Sequence, residues 1–129
     1  STSRYRREII ERLGLPLTAS APVCDETPLP GESALETAVR LARTKAMSLA
    51  ARYPEALIIG SDQVADLHGT PLGKPGTHER AIAQLQQMQG QTVIFQTAVA
   101  VVCQGSGFAI KPRAWHTRTS FRQSATPRW

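Results

Sequence analysis

Four places in this chain hold side chains that can do chemistry together. Hydroxyls and arginines cluster in STSRYRR, with Ser1, Arg6 and Arg7; Asp25 and Glu26 form an acidic pair; Asp62 follows the apolar run ALIIG; Lys74 stands in LGKP. Such a set suits phosphate-ester chemistry, in which cations grip phosphates, carboxylates position a divalent ion and one carboxylate activates water. Each group alone has a plainer reading. The arginines fit a solvated helix face, the acidic pair a polar loop, Asp62 a cap or turn, and Lys74 surface decoration. Their joint occurrence favours the chemical reading. His68, His78 and His116 lack metal-ligand spacing and read as structural.

The elements that must position these groups follow from periodicity. RYRREIIERL sets Ile9, Ile10 and Leu13 on one side of a helix that Gly14 and Pro16 stop. Residues 17 to 31, with three prolines, read as extended loop. Ser33 and Glu36 make a capping box for a helix carrying Leu35, Ala38, Val39, Ala42, Ala46, Leu49 and Ala50. ALII then predicts a short strand that delivers Asp62 to its C-terminal edge, where open α/β sheets bind ligands, followed by a turn at His68 and Gly69. Thr77 caps a further helix that Gly90 closes, and TVIFQTAVAVVC predicts one long strand or two short ones. The order helix, helix, strand, helix, strand implies an α/β or mixed-sheet domain.

Composition narrows the class. The 129 residues suit one domain, 41% of them hydrophobic, and no apolar run approaches the roughly 20 residues needed to cross a bilayer. A cytoplasmic protein with no membrane partner is expected. Cys24 and Cys103 are expected as free thiols. The net charge of +5 arises entirely after residue 110, from Lys111, Arg113, Arg118, Arg122 and Arg128, because the 10 cations before that point match 10 acids. Interleaved with Phe108, Trp115, Phe121 and Trp129, these cations support an alternative function, a small basic nucleic-acid-binding protein using its C-terminal tail.

STSRYRREIIERLG, CDET, ARTKA, GSDQV and LGKP, in that order, resemble the motifs of Maf-family nucleoside triphosphate pyrophosphatases over roughly residues 1 to 109. The resemblance implies a Maf/ITPase-like mixed sheet with flanking helices, an α/β fold here incomplete. It implies Asp62 as catalytic base and metal-linked carboxylate, with Glu26 helping to hold a divalent cation, Mg or Mn. Arg6, Arg7, Lys45 and Lys74 would grip the triphosphate and Ser1 would hydrogen-bond it. Intact members are expected to be homodimers acting on a nucleotide, with no nucleic-acid partner.

Two residues resemble one branch of the family. Where the branch acting on dTTP and UTP has arginine and threonine, this chain has Tyr5 and Gln63, similar to the branch that hydrolyses 7-methyl-GTP to 7-methyl-GMP and diphosphate. An aromatic face attracts the positive N7-methylated ring, and an amide can donate to and accept from a base edge. Tyr5 replaces an expected tryptophan, and Arg4 stands where the family usually has proline.

The resemblance implies a partial Maf-like domain over residues 1–110 and a divergent basic tail over 111–129. Family members begin with a short apolar strand before Ser-x-Ser and continue through a further helix and a glycine-rich segment. A chain truncated at both ends is therefore expected to be poorly soluble and inactive. SATPRW, the last six residues, fits neither helix nor strand. One nucleotide added ahead of codon 124 can turn it into LSDAEM, a helix-opening segment with a Ser cap and early acids, which predicts a frameshift near that codon.

Overall fold

The computed structural model describes residues 3–121. Helix α1 (Arg4–Glu11) starts where the Ser3 side chain accepts from the Arg6 N–H, and the pairs Arg4–Glu8 and Arg7–Glu11 brace its flank. No residue of α1 is buried.

Helix α2 (Ala34–Ala50) opens on the expected capping box, with Ser33 and Glu36 each serving the other's backbone. Ala34, Ala38, Ala42, Ala46 and Ala50 form a stripe of small buried residues along its inner side. That stripe lets the helix lie almost against strand β1 (Ile58–Leu67), where Gly60 completes the fit. A Cβ at Gly60 would stand 2.2 Å from the Ala42 carbonyl oxygen.

Strand β1 turns into β2 (Thr70–Leu72) through His68 and Gly69, whose φ values of 52° and 85° suit a two-residue hairpin. Asp66 accepts from the Gly69 N–H and stabilises that turn. Thr77 caps α3 (His78–Met88), and the chain continues as β3 (Thr92–Cys103) and β4 (Phe108–Ser120). The four strands form one sheet in the order β2-β1-β3-β4, and every pair is antiparallel. Ile58, Val64, Ala98, Ala100 and Val102 pack with the alanine stripe of α2. The face bearing Ile59 and Gln63 is more open.

The α/β class with helices beside a sheet is as expected. Three details differ. β1 does not end at Asp62 but runs through it, pairing it with Ala98. Gly60 and Ser61 look like a strand break in sequence, yet the glycine is there because a helix backbone lies against it. β2 is an additional short strand. Residues 111–120 are no separate tail, since β4 crosses position 110 and pairs with β3 from Thr92 to Cys103. Their charges mask the period-2 pattern because this edge strand is largely exposed. SATPRW lies outside the described residues. Cys24 and Cys103 are free thiols, and no described helix is long and apolar enough to cross a membrane.

Candidate active site

A cleft of about 460 Å³ lies beside β1, lined by the consecutive residues Ile59 to Gln63. Side chains of both strand faces reach it because it follows the β1 edge ahead of Ala65, where pairing with β2 begins. Opposite stand the loop residues Cys24 and Glu26, the α2 residue Lys45, and Ser3, Arg6 and Lys74.

At its centre is a chain of alternating charge. Lys45 Nζ donates to Asp62 Oδ1 at 2.8 Å and pairs with Glu26 Oε1 at 2.5 Å, while Lys74 Nζ meets Glu26 Oε2 at 2.8 Å. Lys45 and Asp62 are largely withdrawn from solvent and Lys74 is exposed. The hydrogen bonds from Lys45 and then Lys74 hold the Glu26 carboxyl down at about 2. Burial by itself would lower the Lys45 pKa, but hydrogen bonds to Asp62 and Glu26 outweigh it and raise the value. The lysine therefore stays charged between two carboxylates.

Each charge is delivered by a separate element. α2 brings Lys45 over β1 because the alanine stripe and Gly60 permit close contact. The loop bearing Glu26 is tied to α2 by Arg40, which holds Glu32 through two hydrogen bonds of 2.7 and 3.0 Å and also reaches the Thr27 carbonyl. Asp25 accepts from the Thr27 N–H at 2.9 Å and shapes the turn, so the acidic pair divides into one structural and one site residue. Gln84 of α3 donates to the Gly73 carbonyl and steadies the turn that presents Lys74.

The structure thus brings Arg6, Glu26, Lys45, Asp62, Gln63 and Lys74 to one cleft. Arg7 does not line it and instead pairs with Glu11 at 3.0 Å. Tyr5 is 73% exposed and also stands outside the lining. Ser1 lies outside the described residues. Ser3, Ser61 and Cys24 are lining residues that the sequence reading passed over, although the motifs STSRYRR, GSDQV and CDET contain them.

A divalent cation can be tested against these donors. Among the described residues no group of three or more His, Cys, Asp and Glu could hold one. Glu26 and Asp62 nevertheless approach closely enough to share one ammonium group. Two carboxylates completed by phosphate oxygens are a usual donor set for a hard cation such as Mg, so these residues fit a cation bound jointly with a triphosphate.

The model of the family described as Maf-like protein matches residues 1–126. The chain belongs to the Maf family. Among its Maf relatives is a protein of Polaromonas sp. named 7-methyl-GTP pyrophosphatase, 66% identical over 108 residues, which are 84% of this chain and 49% of that protein. A protein of the same name from Chromobacterium violaceum is 64% identical, covering 83% of this chain and 55% of its own length. Another, from Albidiferax ferrireducens, is 54% identical over 95% of this chain and 61% of its own length. The chain spans about half the length of the first two of these relatives. The Maf match includes β4.

Proposed function

We propose that this Maf chain forms the catalytic part of a nucleoside triphosphate pyrophosphatase that hydrolyses 7-methyl-GTP to 7-methyl-GMP and diphosphate. One observation carries the reading most directly: Lys45 bridges Glu26 and Asp62 in a cleft also lined by Gln63, in a chain 66% identical to a protein named for that activity.

The residues divide the work by position. Arg6 and Lys74 line the cleft as cations and meet the phosphates of an entering nucleotide. Asp62 is the base that orients water and takes its proton as the water oxygen attacks the α-phosphorus and the bond to the leaving diphosphate breaks. Lys45 holds that carboxylate in place through their 2.8 Å hydrogen bond. Glu26 and Asp62 would hold Mg or Mn, which when bound supplies neutralising charge for the phosphate oxygens. A cytoplasmic setting and a homodimer belong to the same reading. The alternative, nucleic-acid binding through a basic tail, is less well supported, since residues 111–120 are committed to the sheet.

The test measures binding of 7-methyl-GTP and UTP by calorimetry, together with diphosphate release. Binding should favour the methylated guanine nucleotide. Asp62→Asn keeps side-chain volume and should cut diphosphate release by about 10²- to 10⁴-fold. A parent chain that binds neither nucleotide, or an Asp62→Asn variant that releases diphosphate at the parental rate, refutes the proposal.

A further inference from the structure

Lys45 stands where two carboxylates converge. Its Nζ meets Glu26 Oε1 at 2.5 Å and Asp62 Oδ1 at 2.8 Å, and its side chain is mostly buried. It differs from a mobile surface lysine at its base as well. The next residue, Ala46, lies against Gly60 of β1 so closely that a Cβ on the glycine would stand 2.7 Å from the Ala46 nitrogen. The side chain is thus held at both ends.

A divalent cation shared by Glu26 and Asp62 would sit about 2.1 Å from an oxygen of each, in the gap that the ammonium now spans. Both cannot bridge the pair at once. The charge around the cleft points the same way. Three cations line it, Arg6, Lys45 and Lys74, against the two carboxylates Glu26 and Asp62, so a metal ion arriving alone meets a net positive lining.

We infer that Lys45 bars a divalent cation from Glu26 and Asp62 until a triphosphate arrives with it, so that metal and nucleotide enter together. The inference rests on the proposed reading of these two residues as the cation's carboxylates, and adds the order of binding and the residue that imposes it. A triphosphate reverses the local charge. Its oxygens offer the ammonium a partner in place of Glu26, whose carboxylate then becomes available to the cation. Lys74 cannot set this barrier, because it is exposed and pairs with Glu26 Oε2 rather than spanning the two carboxylates.

Calorimetric titration with Mn²⁺ alone gives the test. The parent should bind it weakly, and Lys45→Met at least about tenfold more tightly, because two carboxylates are left facing each other without a cation between them. Lys74→Met removes the same charge but leaves the bridge, and should bind Mn²⁺ about as the parent does. Should Lys45→Met fail to fold, Lys45→Gln serves for the same measurement. The melting temperature gives a second readout. Mn²⁺ alone should raise it in the Lys45 variant, whereas in the parent a rise should need Mn²⁺ and inorganic triphosphate together. A parent that binds Mn²⁺ alone as tightly as the Lys45 variant, an equal gain in Lys74→Met, or a parent that Mn²⁺ alone stabilises overturns the inference. Diphosphate release from 7-methyl-GTP by that same parent would leave the proposed function standing. Because the probes carry no base, a parent that shows the joint requirement yet binds no 7-methyl-GTP supports the barrier while refuting the proposed function.

Discussion

Lys45 illustrates how far a residue's type, without its neighbours, determines its role. From sequence it reads as a phosphate-gripping cation, whereas in the fold its ammonium is engaged by both Glu26 and Asp62. Removing it leaves two carboxylates facing each other in a site with little solvent at Asp62. Lys45→Met should therefore destabilise the chain by about 2 kcal/mol, less than a fully buried pair would lose because Glu26 retains access to water and to Lys74. Urea unfolding checks this, and adding Asp62→Asn should recover part of the loss, since it removes one of the stranded charges. The members of this cluster were legible as residue types at motif spacing; their pairing was not, because contacts between positions 26, 45 and 62 depend on how three elements cross. Tyr5 shows the converse. Its ring was assigned to the base, but α1 buries nothing and leaves that ring 73% exposed outside the cleft.

At the scale of elements, the decisive contact is α2 against β1. The capping box and the alanine spacing made α2 readable, since both are local signals with a fixed period. The length of β1 was not, because Gly60 in a strand normally marks a bend and its purpose lies in another element. Gly60→Ala tests that account. The new Cβ would meet the Ala42 oxygen at 2.2 Å and the Ala46 nitrogen at 2.7 Å, both backbone atoms that cannot rotate away. The helix must shift, at a cost of about 1–3 kcal/mol. Because Lys45 rides on the same helix, nucleotide affinity should fall along with stability. Gly73→Ala, where an added Cβ meets nothing within 4 Å, is the matched control and should change the melting temperature little. Equal melting temperatures for the two variants would show that the close approach of α2 is unimportant. β4 went unread for a different reason: cations along an exposed edge strand give a composition like that of a solvated tail, while the pairing that orders it comes from β3.

For the whole molecule, two ion-pair networks join pieces of chain that are distant in sequence, and both titrate in acid. Glu32, held by two hydrogen bonds from Arg40, fastens the loop to α2, and its pKa lies at about 2 against an ordinary 4.5. Glu26, held by Lys45 and Lys74, fastens that loop to α2 and to the turn after β2, and its pKa likewise lies at about 2. A carboxyl group whose folded pKa lies below its unfolded value favours folding at every pH above the unfolded value. That contribution declines as protons bind the unfolded chain first, and it is gone once the folded group also protonates. Stability should therefore hold from neutrality to about pH 5, fall most steeply between 4.5 and about 2, and level off below. Thermal unfolding followed by circular dichroism over this range checks the profile. Glu32→Gln should flatten the fall without changing which nucleotide is preferred, whereas Glu26→Gln should flatten it and also weaken nucleotide binding, because only Glu26 faces the cleft. A profile as steep in both variants as in the parent would mean that neither network bears on folding, and the loop carrying Glu26 would then have to be held in place by something other than its charges.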